Sequence, residues 1–446
     1  MSQRTTTKPT LASFWHDLPR EGKLLLSVVV VEFIGTGLVL PFHVVYLHEV
    51  RGIDLGHVGL LLGLPPLVGF LIVGPGGSAI DRLGALRILI AALVLQVVSN
   101  TLLAFAATEW AAAFALVLSG AAFGVTWPGF QTLIATVVPA ELRQRYFGVN
   151  FTLLNLGIGI GGIVGGMLVD VERLVTFQTI YLADAVSYLP GLFLLTVPLR
   201  HVAGRPEHPH GKEPVRVGYL EVARRPAVAP LLLLSFVSSY VGYSQLNAGM
   251  PAFARAVGEV STQGLGLAFA ANTLVIVVLQ LVVLQRIEGR RRTRVIAVMG
   301  VVWAGSWLLL GATGLVSGTW GATLLVAACA SVFAFGETLL QPTIPALVNE
   351  LAPDHLRGRY NALSSGTFQL AAIVAPPIAG IMVDHDLGAL YIASLVVGCL
   401  LCGVISVVRL EPQLTPEVNG VRDRTTRLEP NELSSSSAKT ISGATD

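Results

Sequence analysis

Charge is what this sequence has least of. Asp, Glu, Lys and Arg make up 13% of its 446 residues, against 53% hydrophobic. A soluble globular chain is about 25% charged, so a water-soluble fold is excluded. Cysteine is scarcer still: Cys329, Cys399 and Cys402 each fall inside a long apolar run, which leaves no disulfide framework. Cys399-x-x-Cys402 has the spacing of a metal or redox pair, but within an apolar helix it reads as two small fillers, and no metal or cofactor is expected. A net charge of +2 gives no footing for nucleic acid. A cleavable leader is not expected either: the first 23 residues are polar, and the apolar run after them is full length with no small-residue cleavage site. No polar stretch is long enough for a catalytic domain, and no nucleophile or metal set appears, so neither an enzyme nor a receptor domain on a membrane scaffold is expected.

What the chain does have is apolar runs of roughly 20 residues, each enough to cross a bilayer as a helix. They cover 24–47, 57–80, 88–107, 111–137, 147–169, 176–197, 227–250, 262–285, 295–315, 320–348, 360–383 and 388–408. This predicts an all-α integral membrane protein with twelve transmembrane helices. Twelve crossings put both termini on one side. Of the 29 Lys and Arg, all but Arg51, Arg173 and Arg255 fall on that side or in its loops, and none lies inside a span. By the positive-inside rule both termini are then cytoplasmic.

The chain also repeats itself. "PAELRQRYFG" from Pro139 and "PDHLRGRYNA" from Pro353 share Pro, Leu, Arg, Arg and Tyr at a constant offset of 214, which also pairs Pro128 with Pro342 and Asp170 with Asp384. Two parallel six-helix halves follow, 24–198 and 227–408. They are flanked by a cytoplasmic segment 1–23, joined by a linker 199–226, and followed by a polar tail 409–446 expected to be disordered, with Ser434–Ser437 in it. Within the linker, "VGYLEVARRP" is predicted as a short helix on the membrane surface. Parallel repeats of this kind build transporters whose substrate site lies between the halves.

"NLGIGIGGIVGGMLVD", from Asn155, contains G-x-G-x-x-G at Gly157, Gly159 and Gly162, the dinucleotide fingerprint. The repeat argues against that reading. Gly157, Gly161 and Gly165 correspond to Ala371, Ala375 and Ala379, so small residues are kept every fourth position while glycine is not. A phosphate turn needs glycine torsions; a close helix contact needs only small side chains. Gly162 and Gly166, matched by Pro376 and Gly380, are expected to form a second such ridge.

These residues resemble the major facilitator superfamily over 24–408. "GSAIDRLGALR" resembles the family loop G-x-x-x-D-R-x-G-[RK]-[RK]-[RK] through Gly77, Asp81, Arg82 and Gly84, departing at Ala85 and Leu86 and keeping only Arg87 of the basic run. "EGRRRTR" from Glu288 is its degenerate counterpart in the second half. The resemblance implies a cytoplasmic latch, with Asp81 facing a helix N-terminus of the other half. Gly157, Gly161, Gly165 and Gly166 resemble the antiporter motif G-x-x-x-G-P-x-x-G-G, with Gly162 in place of its proline. Leu116 stands where drug exporters often carry an arginine, four residues before Gly120, which excludes proton coupling through that group. "LADAVSYL" around Asp184 resembles drug-efflux members.

Ionisable residues inside a bilayer are functional candidates. Glu32 lies about 12 Å into the first span at 1.5 Å per residue, with Thr36 and His43 along the same stripe. Glu337 lies mid-span with Gln341 one turn on. Asp184 lies in the outer half of the sixth span. In the family, spans 1, 4, 7 and 10 line the cavity, so Glu32 and Glu337 are expected to face it from opposite halves and Asp184 to lie outside it. Trp127, Gln131, Tyr240, Tyr243, Gln245 and Asn247 are further cavity-lining candidates. Two acids, several aromatics and no intramembrane cation suit cationic or neutral, partly apolar substrates. The expectation is a monomeric carrier of the bacterial inner membrane that exports such a drug or natural product in exchange for protons. The alternative is a proton-coupled importer of a sugar, peptide or other metabolite. The peptide branch is disfavoured because its E-x-x-E-R is absent after Glu32.

Overall fold

The computed structural model describes residues 11–202 and 217–421. Among them there are helices and no strands. A short helix, Leu11–Asp17, seats Phe14 and Leu18 in the core before the first crossing. The first half comprises α1 (Arg20–Val39), α2 (Leu55–Leu83), α3 (Ala85–Phe105), α4 (Glu109–Val137), α5 (Ala140–Leu168) and α6 (Leu174–Ser187). The second comprises α7 (Val228–Val241), α8 (Thr262–Ile287), α9 (Arg292–Gly311), α10 (Trp320–Leu340), α11 (Arg357–Asp384) and α12 (Gly388–Val404). α6 continues as Leu189–Thr196 with Pro190 in its first turn, and α10 as Thr343–Leu351 after Pro342. Among the described residues, eleven of the twelve crossings, taken with their continuations, are long and apolar enough to span a bilayer.

The seventh crossing, read from sequence as one run over 227–250, is broken. At Gly242 the backbone leaves helical geometry (φ −102°, ψ −102°) and closes onto the Trp303 ring, where a Cβ would lie 2.4 Å from that ring. The chain resumes as a π-turn, Gln245–Gly249, and a last helix, Met250–Ala256.

Helix pairing repeats between the halves: α1 packs on α5 and α6, α2 and α3 on α4, and α3 on α6; α7 packs on α11 and α12, α8 and α9 on α10, and α9 on α12. The α1–α5 seam is the tightest. A Cβ on Gly161 would stand 2.1 Å from the Ile34 carbonyl, on Gly37 2.4 Å from that of Ile158, and on Gly165 2.7 Å from that of Leu38. Gly157, with a Cβ position 2.8 Å from the Val30 carbonyl, continues the row. The second ridge does not exist. Positions Gly162 and Gly166 meet nothing nearer than 3.9 Å, because they turn away from α1.

The tail is also corrected. Residues 409–421 are ordered: the chain stays helical through Gln413 and then folds back so that Asn419 is buried. Asn419 Oδ1 accepts from the Thr293 amide at 3.1 Å and so caps the start of α9, and Glu411 takes hydrogen bonds from Arg291 and from Thr293. The polar composition hid this because the partners of these residues lie more than a hundred positions earlier. The remainder of the tail with Ser434–Ser437, the linker residues 203–216 and residues 1–10 lie outside the described residues. "VGYLEVARRP" contains the helix Tyr219–Ala223.

Candidate functional site

The polar residues of the spans gather in three places. The first lies within the first half. Glu32 on α1 (7% exposed) and Asp184 on α6 (2% exposed) are both buried where α1 packs against α6. Asn100 on α3 donates Nδ2 to Asp184 Oδ2 at 2.7 Å, and the Ser187 hydroxyl donates to the Asp184 carbonyl at 2.7 Å. Gly35 makes room for both: a Cβ there would lie 2.1 Å from Ser187 Oγ and 2.6 Å from Asp184 Oδ1. Thr36 Oγ1 meets the Tyr188 hydroxyl at 3.3 Å, and His43 Nδ1 meets the Tyr181 hydroxyl at 2.7 Å. The stripe Glu32, Thr36, His43 is therefore one face, turned toward α6. This corrects one expectation: Glu32 points at α3 and the continuation of α6 rather than between the halves. Its Oε2 lies 3.7 Å from the Cβ position of Gly191, and Leu93 borders the same point. Packing of α6 against both α1 and α3 makes the pocket, and neither helix's own spacing reveals that.

The second place lies in the other half. Glu337 on α10 is 3% exposed and accepts from Asn272 Nδ2 on α8 at 2.7 Å. Tyr243, in the break of the seventh crossing, interacts with Glu337 and takes a hydrogen bond from Gln341 Nε2 at 2.6 Å. Its ring stands edge-on to Trp303 and Phe333, with centroids at 6.0 and 6.3 Å, and tilted to Phe368 at 6.0 Å. Trp303 and Phe333 stack at 4.5 Å. A carboxyl group and two amides thus sit beside a four-ring aromatic wall that includes the Tyr243 phenol. Tyr240 lies three residues before Tyr243, stacked on Phe236. Gln245 is not a lining residue, because it turns to α12 and accepts from the Tyr391 hydroxyl at 2.7 Å. Asn247 is exposed and donates to the Tyr243 carbonyl. On α4, Gln131 is buried and Trp127 is 37% exposed. Glu32 and Glu337 do not meet.

The third place is the face that carries the termini, where the halves are clasped. Asp81 Oδ1 accepts from the Gly358 amide at 2.6 Å, and Oδ2 from the Arg359 amide at 3.2 Å and its guanidinium at 3.0 Å. The carboxylate thus sits at the N-terminus of α11, where the helix dipole and free amides favour an anion. Gly77 permits the approach: a Cβ there would lie 2.3 Å from that of Ala362. Gly84, with φ 93°, makes the turn after Leu83, while Arg82 and Arg87 are exposed.

A matching clasp joins Glu288, after α8, to Arg145 on α5. Arg145 and Arg359 are repeat equivalents, so the two clasps are related by the repeat. Around them Arg292 makes a bidentate pair with Glu350 at 2.6 and 2.9 Å and reaches Gln144 of the other half at 3.4 Å, and Asn361 Nδ2 donates to Thr132 Oγ1 at 3.1 Å. The Tyr219 hydroxyl, from the linker helix, donates to the Gly74 carbonyl, and burial raises its pKa above the ordinary 10.0. Sequence reasoning missed Asn100, Asn272, Tyr181 and Tyr188 as partners. The two asparagines were amides in apolar spans, each with a glutamine in the same span, a signal that was there to be used. Among the described residues no group of three or more His, Cys, Asp or Glu is placed to hold a metal.

Helix pairing that recurs in both halves, with the halves clasped at one face, is the architecture of a membrane carrier. The chain belongs to the Major Facilitator Superfamily, whose model matches residues 25–327 and again 258–441. It is 24% identical over 377 residues to the uncharacterized MFS-type transporter YttB of Bacillus subtilis (strain 168), covering 82% of this chain and 89% of that one. It is 24% identical over 370 residues to a Na(+), Li(+), K(+)/H(+) antiporter of Planococcus maritimus, covering 76% and 84%. It is 31% identical over 169 residues to the quinolone resistance protein NorA of Staphylococcus aureus (strain MRSA252), covering 38% and 42%. In fold it is similar to a bacterial homologue of the iron transporter ferroportin solved in the outward-facing state with soaked iron. That match has a TM-score of 0.70 at 16% identity and covers 87% of this chain and 99% of that one. The protein is therefore a multi-pass membrane transporter of small molecules.

Proposed function

We propose that this protein exports cationic or neutral, partly apolar small molecules from a bacterial cell in exchange for protons, working as a monomer in the inner membrane with both termini in the cytoplasm. The observation that carries the reading is Glu337. It is a carboxyl buried beside the aromatic wall of Tyr243, Trp303, Phe333 and Phe368, with Asn272 and Gln341 as the nearest amides. No Lys or Arg lies within the spans read from the sequence to bind an anion. A charge that must be neutralised to stay buried and a set of π-faces together suit a cation or a proton in turn. The likeness of part of the chain to NorA supports export, and the named exchange of the Planococcus relative supports protons as the counter-ion.

In this reading, residues 24–198 and 227–408 are the two moving halves, and the clasps at Asp81 and Glu288 hold the cytoplasmic side closed, so that the structure represents the outward-facing state. The test is transport in proteoliposomes with an imposed pH gradient, across a panel of cationic and neutral compounds. Wild type should accumulate a cationic compound against its gradient. Glu337→Gln should lose this more for cations than for neutral compounds. Accumulation that ignores the pH gradient would overturn proton exchange, and uptake of a metabolite in the reverse sense would favour the importer.

A further inference from the structure

Arg292, the first residue of α9, is held from three sides. Its backbone amide donates to the Asn419 carbonyl at 2.8 Å, and its Nη1 donates to the Val418 carbonyl at 2.7 Å. The same guanidinium makes the bidentate pair with Glu350, near the end of the α10 continuation. Its remaining nitrogen, Nε, donates to Gln144 Oε1 on α5 at 3.4 Å. One side chain thus joins the folded-back tail, its own half and the opposite half.

Fixing a long side chain costs rotamer entropy, so an arginine at a helix end stays in one place only where its surroundings hold it. Here the tail is the cover, and the Arg292 side chain is 5% exposed. The cover closes at Gly420, whose φ of 85° suits glycine. A Cβ there would lie 3.1 Å from the Arg290 carbonyl and 3.2 Å from Arg292 Cγ. Asn419 satisfies two of the free amides that begin α9, that of Arg292 with its carbonyl and that of Thr293 with its side chain. Gln144, the partner across the seam, is the repeat equivalent of Gly358, whose amide meets Asp81. A Cβ on Gly358 would lie 2.5 Å from Asp81 Oδ1, so that seam has no room for a side chain. At the opposite seam the same position carries one, and it reaches Arg292.

We propose that residues 411–421 are a strap on the clasped face: they position Arg292 against Gln144 and so favour the state in which the two halves are closed there. Asn419 and Gly420 act through Arg292 and are positioning residues. The proposal rests on the reading that the clasps hold this side closed during the transport cycle; it needs neither a particular substrate nor proton exchange.

The probe is Ala346→Cys, with the three native cysteines replaced by alanine. Ala346 is fully buried where the second half packs into the core of the first. Its rate of labelling by a maleimide, measured well below the melting point, reports opening of the clasped face. Ending the chain after Leu410 should raise that rate roughly threefold to tenfold over the chain ended after Val421, as the loss of a hydrogen bond or two at a charged group would. Gln144→Ala should raise it to a similar degree. The two changes together should give no more than either alone, because both cut one chain of contacts. An unchanged rate in the shortened chain overturns the strap. So does a rise that multiplies with that of Gln144→Ala.

A tail that only capped α9 would loosen the second half as a whole. Cys399, fully buried on α12 with its carbonyl against Gly300 of α9, reports that when it is the single cysteine kept. Its labelling should stay unchanged on shortening, and a rise equal to that of Ala346→Cys overturns the proposal. Should the shortened chain fail to fold, Gly420→Val takes its place, since it strains the fold-back at one residue; without a Gln144-dependent rise there the proposal falls. Asp81→Asn separates the strap from the reading beneath it. If Asp81→Asn raises labelling of Ala346→Cys and shortening does not, the strap alone fails. If neither does, the closed-face reading fails and the strap with it.

Discussion

Replacing Asp81 by Asn removes a charge but keeps one oxygen for the two amides at the start of α11. Hydrogen bonds to charged groups are worth about 1.5–3 kcal/mol, so Asp81→Asn should shift the balance of states toward the one open at the terminus-bearing face by about tenfold, the equivalent of 1.4 kcal/mol. Labelling of single cysteines placed below the clasp would report the shift, and unchanged labelling with an unchanged transport rate would reduce Asp81 to a charged turn. The equivalent Arg145 meets a side chain, Glu288, rather than helix amides. An Arg145→Glu, Glu288→Arg exchange should therefore restore much of what either single change loses. The same exchange of Asp81 and Arg359 should fail, because an arginine cannot accept from the Gly358 amide. The partner of Asp81 could be anticipated from the sequence only as a helix start in the other half. That the start is Gly358–Arg359, and that a repeat-related ion pair closes the opposite seam, depended on how the halves come together.

Among the elements, the α1–α5 seam admits no side chain on α5. A Cβ on Gly161 meets a backbone carbonyl, which cannot swing aside as a flexible side chain can. Gly161→Leu should cost about 1–3 kcal/mol or more, as overpacking does, and appear as a lower melting point and lost transport. Gly162→Ala, one residue away in open space, should melt as wild type. That contrast separates a packing row from a general need for glycine in this helix. The four-residue spacing was legible in the sequence, and so was the difference between the rows, since the repeat keeps Gly157, Gly161 and Gly165 all small while the second row meets Pro376. The second ridge was misread because small residues recurring at that spacing also arise where a helix merely faces outward. The broken seventh crossing was invisible for a different reason: hydropathy sums over Gly242 without registering that Trp303 occupies the space beside it.

For the whole molecule, the helix count and the repeat could be read from composition and offset alone, because burial in lipid imposes long apolar runs and duplication preserves their order; the place of the clasp came from the resemblance of "GSAIDRLG" to the family loop. The pockets could not. Ser187 and the Glu32 carbonyl are 155 positions apart and meet only because α6 packs against α1. Asn419 reaches Thr293 across a similar sequence distance. Removing residues from Glu411 onward should uncover the start of α9 and lower the melting point, whereas ending the chain after Val421 should leave it unchanged; equal melting of the two would show that the folded-back segment adds nothing to stability. A reporter fused after Ser437 should be active only in its cytoplasmic form if the positive-inside count is right.

The interlocked glycines of α1 and α5 also have a mechanical meaning. With Gly37 against Ile158 and Gly161 against Ile34, backbone lies on backbone and nothing between the two helices can compress or rotate, so they move as one lever. Whatever rocking opens one face and closes the other must then be taken up elsewhere, at α2 against α11 and α5 against α8, where side chains and ion pairs give way. Pairs of spin labels make this measurable: the distance between α1 and α5 should stay the same whichever state is populated, while that between the terminus-facing ends of α2 and α11 should lengthen as the clasp releases.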